Sequence, residues 1–103
     1  MNVLIIDAAD NKEIKAEIKT DKKLYRINRK VEIRQPQSIL ILIDSLLKRS
    51  GLNLINIDKI KVNNGPGSFT GVRVGVSVAN ALSFLLKIPV NEKKTGIFVE
   101  PLY

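Results

Sequence analysis

A glycine-rich stretch, GPGSFTGVRVG at residues 65–75, is the part of this sequence whose residue types and spacing could do chemistry. Four of the six glycines in the chain lie within it. Glycine reaches backbone angles that a Cβ forbids, and free amides at a helix N-terminus attract anions. The stretch could therefore hold a phosphate. It lacks, however, both the Gly-Lys-Ser/Thr ending of a P-loop and the spacing of a dinucleotide-binding fingerprint.

The same stretch is also typical of a tight turn that seats a helix against a sheet. A short strand pattern precedes it, and a long apolar helix pattern at residues 72–86 follows. Ser68 or Thr70 could accept a hydrogen bond from the first free amides of that helix. Gly71 and Gly75 lie four residues apart, so another backbone could approach one face of the helix closely. Because no phosphate-binding fingerprint matches, we favour the turn.

The elements that must position this turn follow from the hydrophobic pattern. A continuous apolar run at residues 3–6 predicts a buried strand. Two alternating stretches, one at residues 14–18 and one running from Tyr25 through Val31 to Ile33, predict two more strands. Short polar turns join these three strands, which indicates an antiparallel meander.

The second part of the chain alternates helices with strands. A helix is predicted to begin near Pro36 and to run to about Ser50, where Gly51 ends it. Residues 55–62 predict a fourth strand, the helix after the glycine turn follows, and residues 88–90 begin a fifth strand.

The predicted order βββαβαβ matches a ribonuclease-H-like half domain, the unit that the actin, Hsp70 and sugar-kinase superfamily uses twice. We therefore predict an α/β fold, with a mixed five-stranded sheet and two main helices in one domain at residues 1–90. Residues 91–103 are expected to form a short polar bridge and a tail. Because topology alone does not assign function, the fold by itself leaves the activity open.

The helix after the glycine turn carries no charge between Arg73 and Lys87. We predict that its sheet-facing side consists of Val74, Val78, Ala81, Leu82 and Leu85. The opposite side is small and weakly polar rather than charged, which indicates a second neighbour. The first helix likewise carries one apolar residue, Ile41, nearly opposite the face that is predicted to pack on the sheet. We expect a partner protein to contact these side chains: Ile41 of the first helix, and Val76, Asn80, Ser83 and Phe84 of the second.

Composition excludes several kinds of chemistry. The 103 residues are enough for one domain, and 45% are hydrophobic while 26% are charged, as in ordinary globular proteins. The sequence has no cysteine and no histidine, which excludes disulfides, thiolate or imidazole metal sites, and catalysis by either residue. No apolar run approaches the ~20 residues of a membrane span, and no signal-peptide pattern opens the chain. We expect a cytoplasmic protein without membrane contact.

The formal net charge of +7 permits contact with nucleic acid. Six cationic residues concentrate in and around the third strand: Lys22, Lys23, Arg26, Arg29, Lys30 and Arg34. Charges on an edge strand also protect it from pairing with other chains. Aromatic residues are too few for a base-stacking platform. We favour edge protection and keep direct binding of tRNA as an alternative.

The glycine turn resembles closely the hallmark of the TsaB family, also called YeaZ, and the resemblance is continuous from about Val3 to Val90. The apolar strand ending in Asp7 matches the family's opening strand, and Gln37-Ser38 stands where the family has a His-Ser pair near the start of its first helix. The motif positions in this chain are Gly65, Pro66, Gly67, Ser68, Phe69, Thr70, Gly71, Arg73 and Gly75. Two departures stand out: Ala8 replaces the hydroxyl residue that usually follows the aspartate, and family members continue into a second half domain, for which residues 91–103 are expected to substitute.

The resemblance implies a non-catalytic adaptor in the synthesis of N6-threonylcarbamoyladenosine at position 37 of tRNA. Such an adaptor binds and activates or stabilises the catalytic paralogue TsaD through helices of the first half domain, and a homodimer can use the same surface. TsaE can join a larger complex, and tRNA can be contacted there. The adaptor itself is expected to need no cofactor and no metal and not to be an enzyme.

A metal-dependent nuclease of the ribonuclease-H type is the alternative from another functional class. Asp7 stands where the first metal-binding carboxylate of such enzymes stands, and Asp44 on the first helix could be another. Two-metal catalysis needs several carboxylates that converge on paired ions. The end of the fourth strand instead carries the amides Asn63 and Asn64, which supply no charge.

Overall fold

The computed structural model of the chain describes residues 1–30, 35–93 and 98–102. The strands are β1 (Val3–Asp7), β2 (Glu13–Lys19), β3 (Leu24–Lys30) and β4 (Lys59–Val62). The helices are α1 (Pro36–Ser50) and α2 (Phe69–Leu86), and a 3-10 turn spans Leu54–Asn56. The predicted strand positions Val31 and Ile33 and the middle of the predicted polar bridge lie outside the described residues.

The four strands form a mixed sheet in the order β3-β2-β1-β4. β1 pairs antiparallel with β2 and parallel with β4, and β2 pairs antiparallel with β3. Side chains alternate between the two faces of each strand, so Leu4, Ile18 and Ile60 share one face and are at most 1% exposed. Both helices pack on that face, and the predicted α/β fold with a mixed sheet and two helices is confirmed.

The prediction of five strands is wrong for the described residues, because the fifth is reduced to one parallel bridge between Val90 and Ile60. Pro89 has no backbone N–H to donate, and Asn91 has a φ of +50°, so the extended segment ends at once. The Asn91 side chain takes the place of further strand pairing. Its Oδ1 accepts from the Val62 amide at 2.7 Å, and its Nδ2 donates to the Val62 carbonyl at 2.9 Å.

The fourth strand is shorter than the predicted residues 55–62. Residues 54–56 form the 3-10 turn instead, which Asn53 and Asn56 close through reciprocal side-chain and backbone hydrogen bonds. β4 therefore begins only at Lys59.

The predicted limits of α1, from near Pro36 to about Ser50, are confirmed. Pro36 occupies its first turn, and Gly51 ends it in the left-handed region at a φ of +72°. Four of its apolar side chains are buried: Ile39, Leu42, Ile43 and Leu46. Leu40, by contrast, is 45% exposed.

The predicted sheet-facing side of α2 is correct for Val78 and Leu82, which are buried, but its centre is displaced by about one residue position around the helix, roughly 100°. Val76 and Ser83, expected on the outer side, are 3% and 1% exposed, whereas Leu85, expected on the sheet, is 72% exposed. Gly75 explains the rotation, because it lies on the sheet and a Cβ built on it would stand 3.4 Å from the Cβ of Ala8. The prediction relied on the positions of large apolar residues. It therefore overlooked the face of α2 on which small residues allow the helix to approach the sheet closely.

The helix α2 also meets, by length and composition alone, the criterion for a membrane span, with a mean hydropathy of 1.5 over 18 residues. Buried positions make up 44% of that window, and the core helix of a soluble protein passes the same test. Because α2 packs against the sheet and α1, we interpret it as a core helix. The cytoplasmic location stays a prediction.

Candidate partner-binding surface on the two helices

The glycine turn is packed between two parts of the chain. A Cβ on Gly67 would stand 2.7 Å from the Ala9 carbonyl oxygen, and one on Gly65 would clash with the backbone of Leu102. The Ser68 amide donates to the Ala9 carbonyl at 2.8 Å. The turn therefore needs its glycines for contact with the rest of this protein.

Several amides of the turn already have acceptors inside the chain. The Ser68 hydroxyl caps α2 by accepting from the Gly71 amide at 3.3 Å, as predicted. The Gly65 amide donates to the Asn63 side chain at 3.0 Å, and the Val72 amide donates to the Ser68 carbonyl at 2.8 Å. Donors used in this way are not free to hold an anion, so the geometry favours the tight turn over the phosphate cradle.

Asp7, the candidate first carboxylate of a nuclease, acts as a local hydrogen-bond acceptor. Its Oδ1 accepts from the Ala9 amide at 3.1 Å and from the Asn63 side chain at 3.3 Å. Asp44 pairs instead with Lys48 on the exposed side of α1, at 3.0 Å. Across residues 1–30, 35–93 and 98–102, no group of three or more carboxylate, histidine or cysteine side chains could hold a metal ion. The structure gives the nuclease alternative no support.

The segment at residues 98–102 packs along one flank of α2. Asn80 binds the backbone of Val99, which is only 3% exposed, and the rings of Phe84 and Phe98 meet edge to face with centroids 6.4 Å apart. The Leu102 amide donates to the Asn64 carbonyl at the entrance of the glycine turn. This flank of α2 is thus occupied by the chain itself.

The other flank of α2 faces α1 across an apolar groove of about 330 Å³. Its walls come from both helices: Pro36, Leu40, Ser77, Val78, Ala81, Leu82 and Leu85. Leu40 and Leu85 stand at its rim with large exposed fractions. Exposed apolar side chains scattered singly are normal, but a contiguous group around a groove is typical of an interaction site.

The five predicted contact residues do not form one surface. Val76 and Ser83 belong to the interior, and the Ser83 hydroxyl donates to the Ile88 carbonyl at 2.6 Å. Asn80 is half-buried against Val99, so its amide is already used. Phe84 is 65% exposed, but it contacts the ring of Phe98 on the flank that residues 98–102 cover.

Ile41 is also exposed, but it lies on the far flank of α1 beside Arg29 and Ser38, away from the groove. The hydrophobic pattern did not identify three groove residues as contacts: Leu40, Ala81 and Leu85. The glycine pair in α2 was the signal that could have corrected the orientation of this helix, since it marks the side that meets the sheet.

The cationic third strand is the exposed edge of the sheet. Arg26 pairs with Glu17 at 3.3 Å, and Arg49 from α1 donates to the Arg26 carbonyl at 3.2 Å. A side chain bound to an edge carbonyl blocks pairing with another strand, which agrees with the protective role favoured above. Contact with tRNA at this edge stays a prediction.

The protein is an α/β domain. Its mixed sheet carries two helices on one face, and the glycine turn connects β4 to the second helix. The family described as "TsaD: tRNA N6-adenosine threonylcarbamoyltransferase" matches residues 30–92. YeaZ from Pseudomonas aeruginosa superimposes with a TM-score of 0.81 at 27% identity, over 87% of this chain and 43% of that chain.

Curated relatives with two different names are similar to this chain. The chain is 44% identical over 72 residues to the tRNA threonylcarbamoyladenosine biosynthesis protein TsaB of Haemophilus influenzae, across 65% of this chain and 30% of that protein. It is 35% identical over 54 residues to the tRNA N6-adenosine threonylcarbamoyltransferase of Bacillus subtilis, across 52% of this chain and 16% of that protein. The chain belongs to this family and, within it, to the TsaB (YeaZ) group. It spans less than half of the length of each of these relatives.

Proposed function

We propose that this chain is a non-catalytic adaptor in tRNA threonylcarbamoyladenosine biosynthesis. Its partner in this proposal is TsaD, the tRNA N6-adenosine threonylcarbamoyltransferase, which it binds and activates or stabilises. The pathway comes from the names of its relatives, and relatives of both names are similar to this chain in sequence. The observation that carries the partner role is the apolar groove between α1 and α2, with Leu40 and Leu85 exposed at its rim.

The energetics favour burial of this groove by another protein. Fully burying a leucine side chain is worth roughly 1.5–3 kcal/mol relative to leaving it exposed. Leu85, at 72% exposed, and Leu40, at 45% exposed, forgo much of that gain in the isolated chain. A partner that inserts apolar side chains between the helices recovers it. Ser77 and Ala81 are small and exposed, so a partner helix can approach α2 closely.

The proposed non-catalytic role is supported by the hydrogen bonds that the candidate catalytic groups make within the chain. The carboxylate of Asp7 and the amides of Gly65 and Ser68 all bind partners within the chain. We propose further that the fold is the ribonuclease-H-like half domain implied by the resemblance. The strand order β3-β2-β1-β4 and the parallel pairing of β4 with β1 support that assignment.

Co-elution of this chain with the TsaD protein of the same genome tests the proposal. Leu85→Glu places a charge at the rim of the groove, where a partner would leave it unpaired, so we expect complex formation to be lost. Ile55→Glu is the matched control, because Ile55 is 81% exposed but lies on the 3-10 turn before β4. If both variants co-elute as well as the wild type, the groove is not the binding surface. ATP hydrolysis by the purified chain, at a rate proportional to its concentration, would contradict the non-catalytic role.

A further inference from the structure

The groove between the helices has a cationic end. Arg73 lines a cavity of about 270 Å³ together with Phe69, Thr70 and Val74. Pro36 and Ser77 belong to the walls of both this cavity and the apolar groove. The two cavities therefore adjoin along α2, with apolar walls toward Leu85 and a guanidinium at the N-terminal end.

Arg73 is held in place by an aromatic ring. Its guanidinium carbon lies 5.2 Å from the ring centroid of Phe69, which precedes it by one helical turn. Such a cation–π contact restrains a long side chain that would otherwise sample many rotamers. A guanidinium over a ring can still direct its planar fork of N–H donors to a carboxylate, whose geometry the fork matches.

No carboxylate of the chain uses this fork in the part that the structure describes. Arg73 is exposed, and it is the sole charged residue in the sequence of α2. The acidic residue of α1, Asp44, is already paired with Lys48 at 3.0 Å. Within the described residues, the charge that Arg73 brings to the groove is thus uncompensated.

This charge decides between two occupants of the groove. In a symmetric dimer the same surface lies on both sides, and the described residues that line the two cavities include no carboxylate, so a second copy would add a guanidinium and a formal net charge of +7 without an anionic partner for Arg73. Like charges across an interface disfavour association, whereas complementary charges favour it. An apolar surface that ends in a carboxylate fits the groove better than a second copy does.

We propose that Arg73 is the specificity-determining residue of this surface and receives a carboxylate from the partner. Phe69 is its positioning residue, because it holds the guanidinium at the end of the groove. The inference rests on the proposed function, in which the partner is TsaD. It adds that this partner presents an acidic residue beside its apolar helix surface.

Calorimetric titration of the wild type and variants with TsaD tests the inference. Arg73→Glu is expected to weaken binding by at least about tenfold, and Arg73→Lys by less, since it keeps the charge and loses the fork. Lys61→Glu is the matched control, because Lys61 is exposed on β4 and points to the sheet face opposite the helices. Raising the salt concentration should weaken binding of the wild type more than binding of Arg73→Gln.

A double-mutant cycle that combines Phe69→Leu with Arg73→Gln tests whether Phe69 positions the Arg73 guanidinium. Phe69→Leu should weaken binding in the wild type and have little further effect in Arg73→Gln, a coupling that a merely structural role would not produce. Wild-type binding that Leu85→Glu abolishes and Arg73→Glu leaves unchanged would overturn this inference while the proposed function stands. No binding by the wild type would overturn both. Self-association of the chain that Arg73→Glu abolishes would also overturn the inference, in favour of a second copy as the occupant.

Discussion

The side-chain amide of Asn80 holds the backbone of Val99 on both sides. Its Nδ2 donates to the Val99 carbonyl at 2.9 Å, and its Oδ1 accepts from the Val99 amide at 2.9 Å. The amide of Asn91 binds the backbone of Val62 in the same way. Each of these asparagines thus makes the two backbone hydrogen bonds that a neighbouring strand would make in a sheet. Asn80 in this way anchors residues 98–102 on α2.

Asn80→Ala should lower the free energy of unfolding by about 1–3 kcal/mol, because it leaves the backbone groups of the buried Val99 without partners. Urea unfolding followed by circular dichroism measures the change. Asn11→Ala is the control, since Asn11 is exposed and its removal should alter stability by less than about 0.5 kcal/mol. Equal stability of the two variants would show that the Asn80 hydrogen bonds contribute nothing.

Val76→Arg and Phe84→Glu should behave in opposite ways. Val76 is 3% exposed, so an arginine there buries an unpaired charge and should unfold the domain or lower its melting temperature strongly. Phe84 is 65% exposed and gives up mainly its edge contact with Phe98, so its replacement should leave a folded protein. Thermal melts of both variants decide the matter. A folded Val76→Arg variant would restore the sheet-facing side that the sequence pattern predicted.

The strands and α1 could be predicted from the sequence because their signals are large and local. Alternation of apolar and charged residues defines β2, and Pro36 with Gly51 brackets α1. The rotation of α2 could not be read from large residues, since the face that meets the sheet carries Gly75 and Ala79. A helix that is apolar on most sides gives a weak periodic signal, so small residues decide its orientation.

The candidate surface was predicted only in part, because the weak periodic signal of α2 left the orientation of this helix open. The sequence located it on α2, and it identified Phe84 as exposed, but it placed Leu85 on the sheet. The role of Asn80 had no sequence signature either. A polar side chain looks the same in the sequence whether it faces water or binds the backbone of a segment nineteen residues away.

Gly75→Val should destabilise the domain by roughly 1–3 kcal/mol through overpacking. A Cβ at this position would stand 3.4 Å from the Cβ of Ala8, which a single methyl group tolerates, while the branches of valine would meet Val62 and Ile6. Gly75→Ala is the matched control, because the gain of about 1 kcal/mol in helix propensity offsets the tight contact. Denaturant midpoints of the two variants give the comparison, and equal midpoints would mean that α2 does not lie this close to the sheet.

Methyl NMR spectra of the labelled chain, recorded while TsaD from the same genome is added, test the central claim most directly. We expect the methyl resonances of Leu40, Ala81 and Leu85 to shift or broaden as the groove between α1 and α2 is covered. The methyl resonances of Ile55, which is exposed elsewhere on the chain, should stay unchanged. Perturbation confined to Ile55 and the strands, or no perturbation with TsaD in excess, would contradict the account.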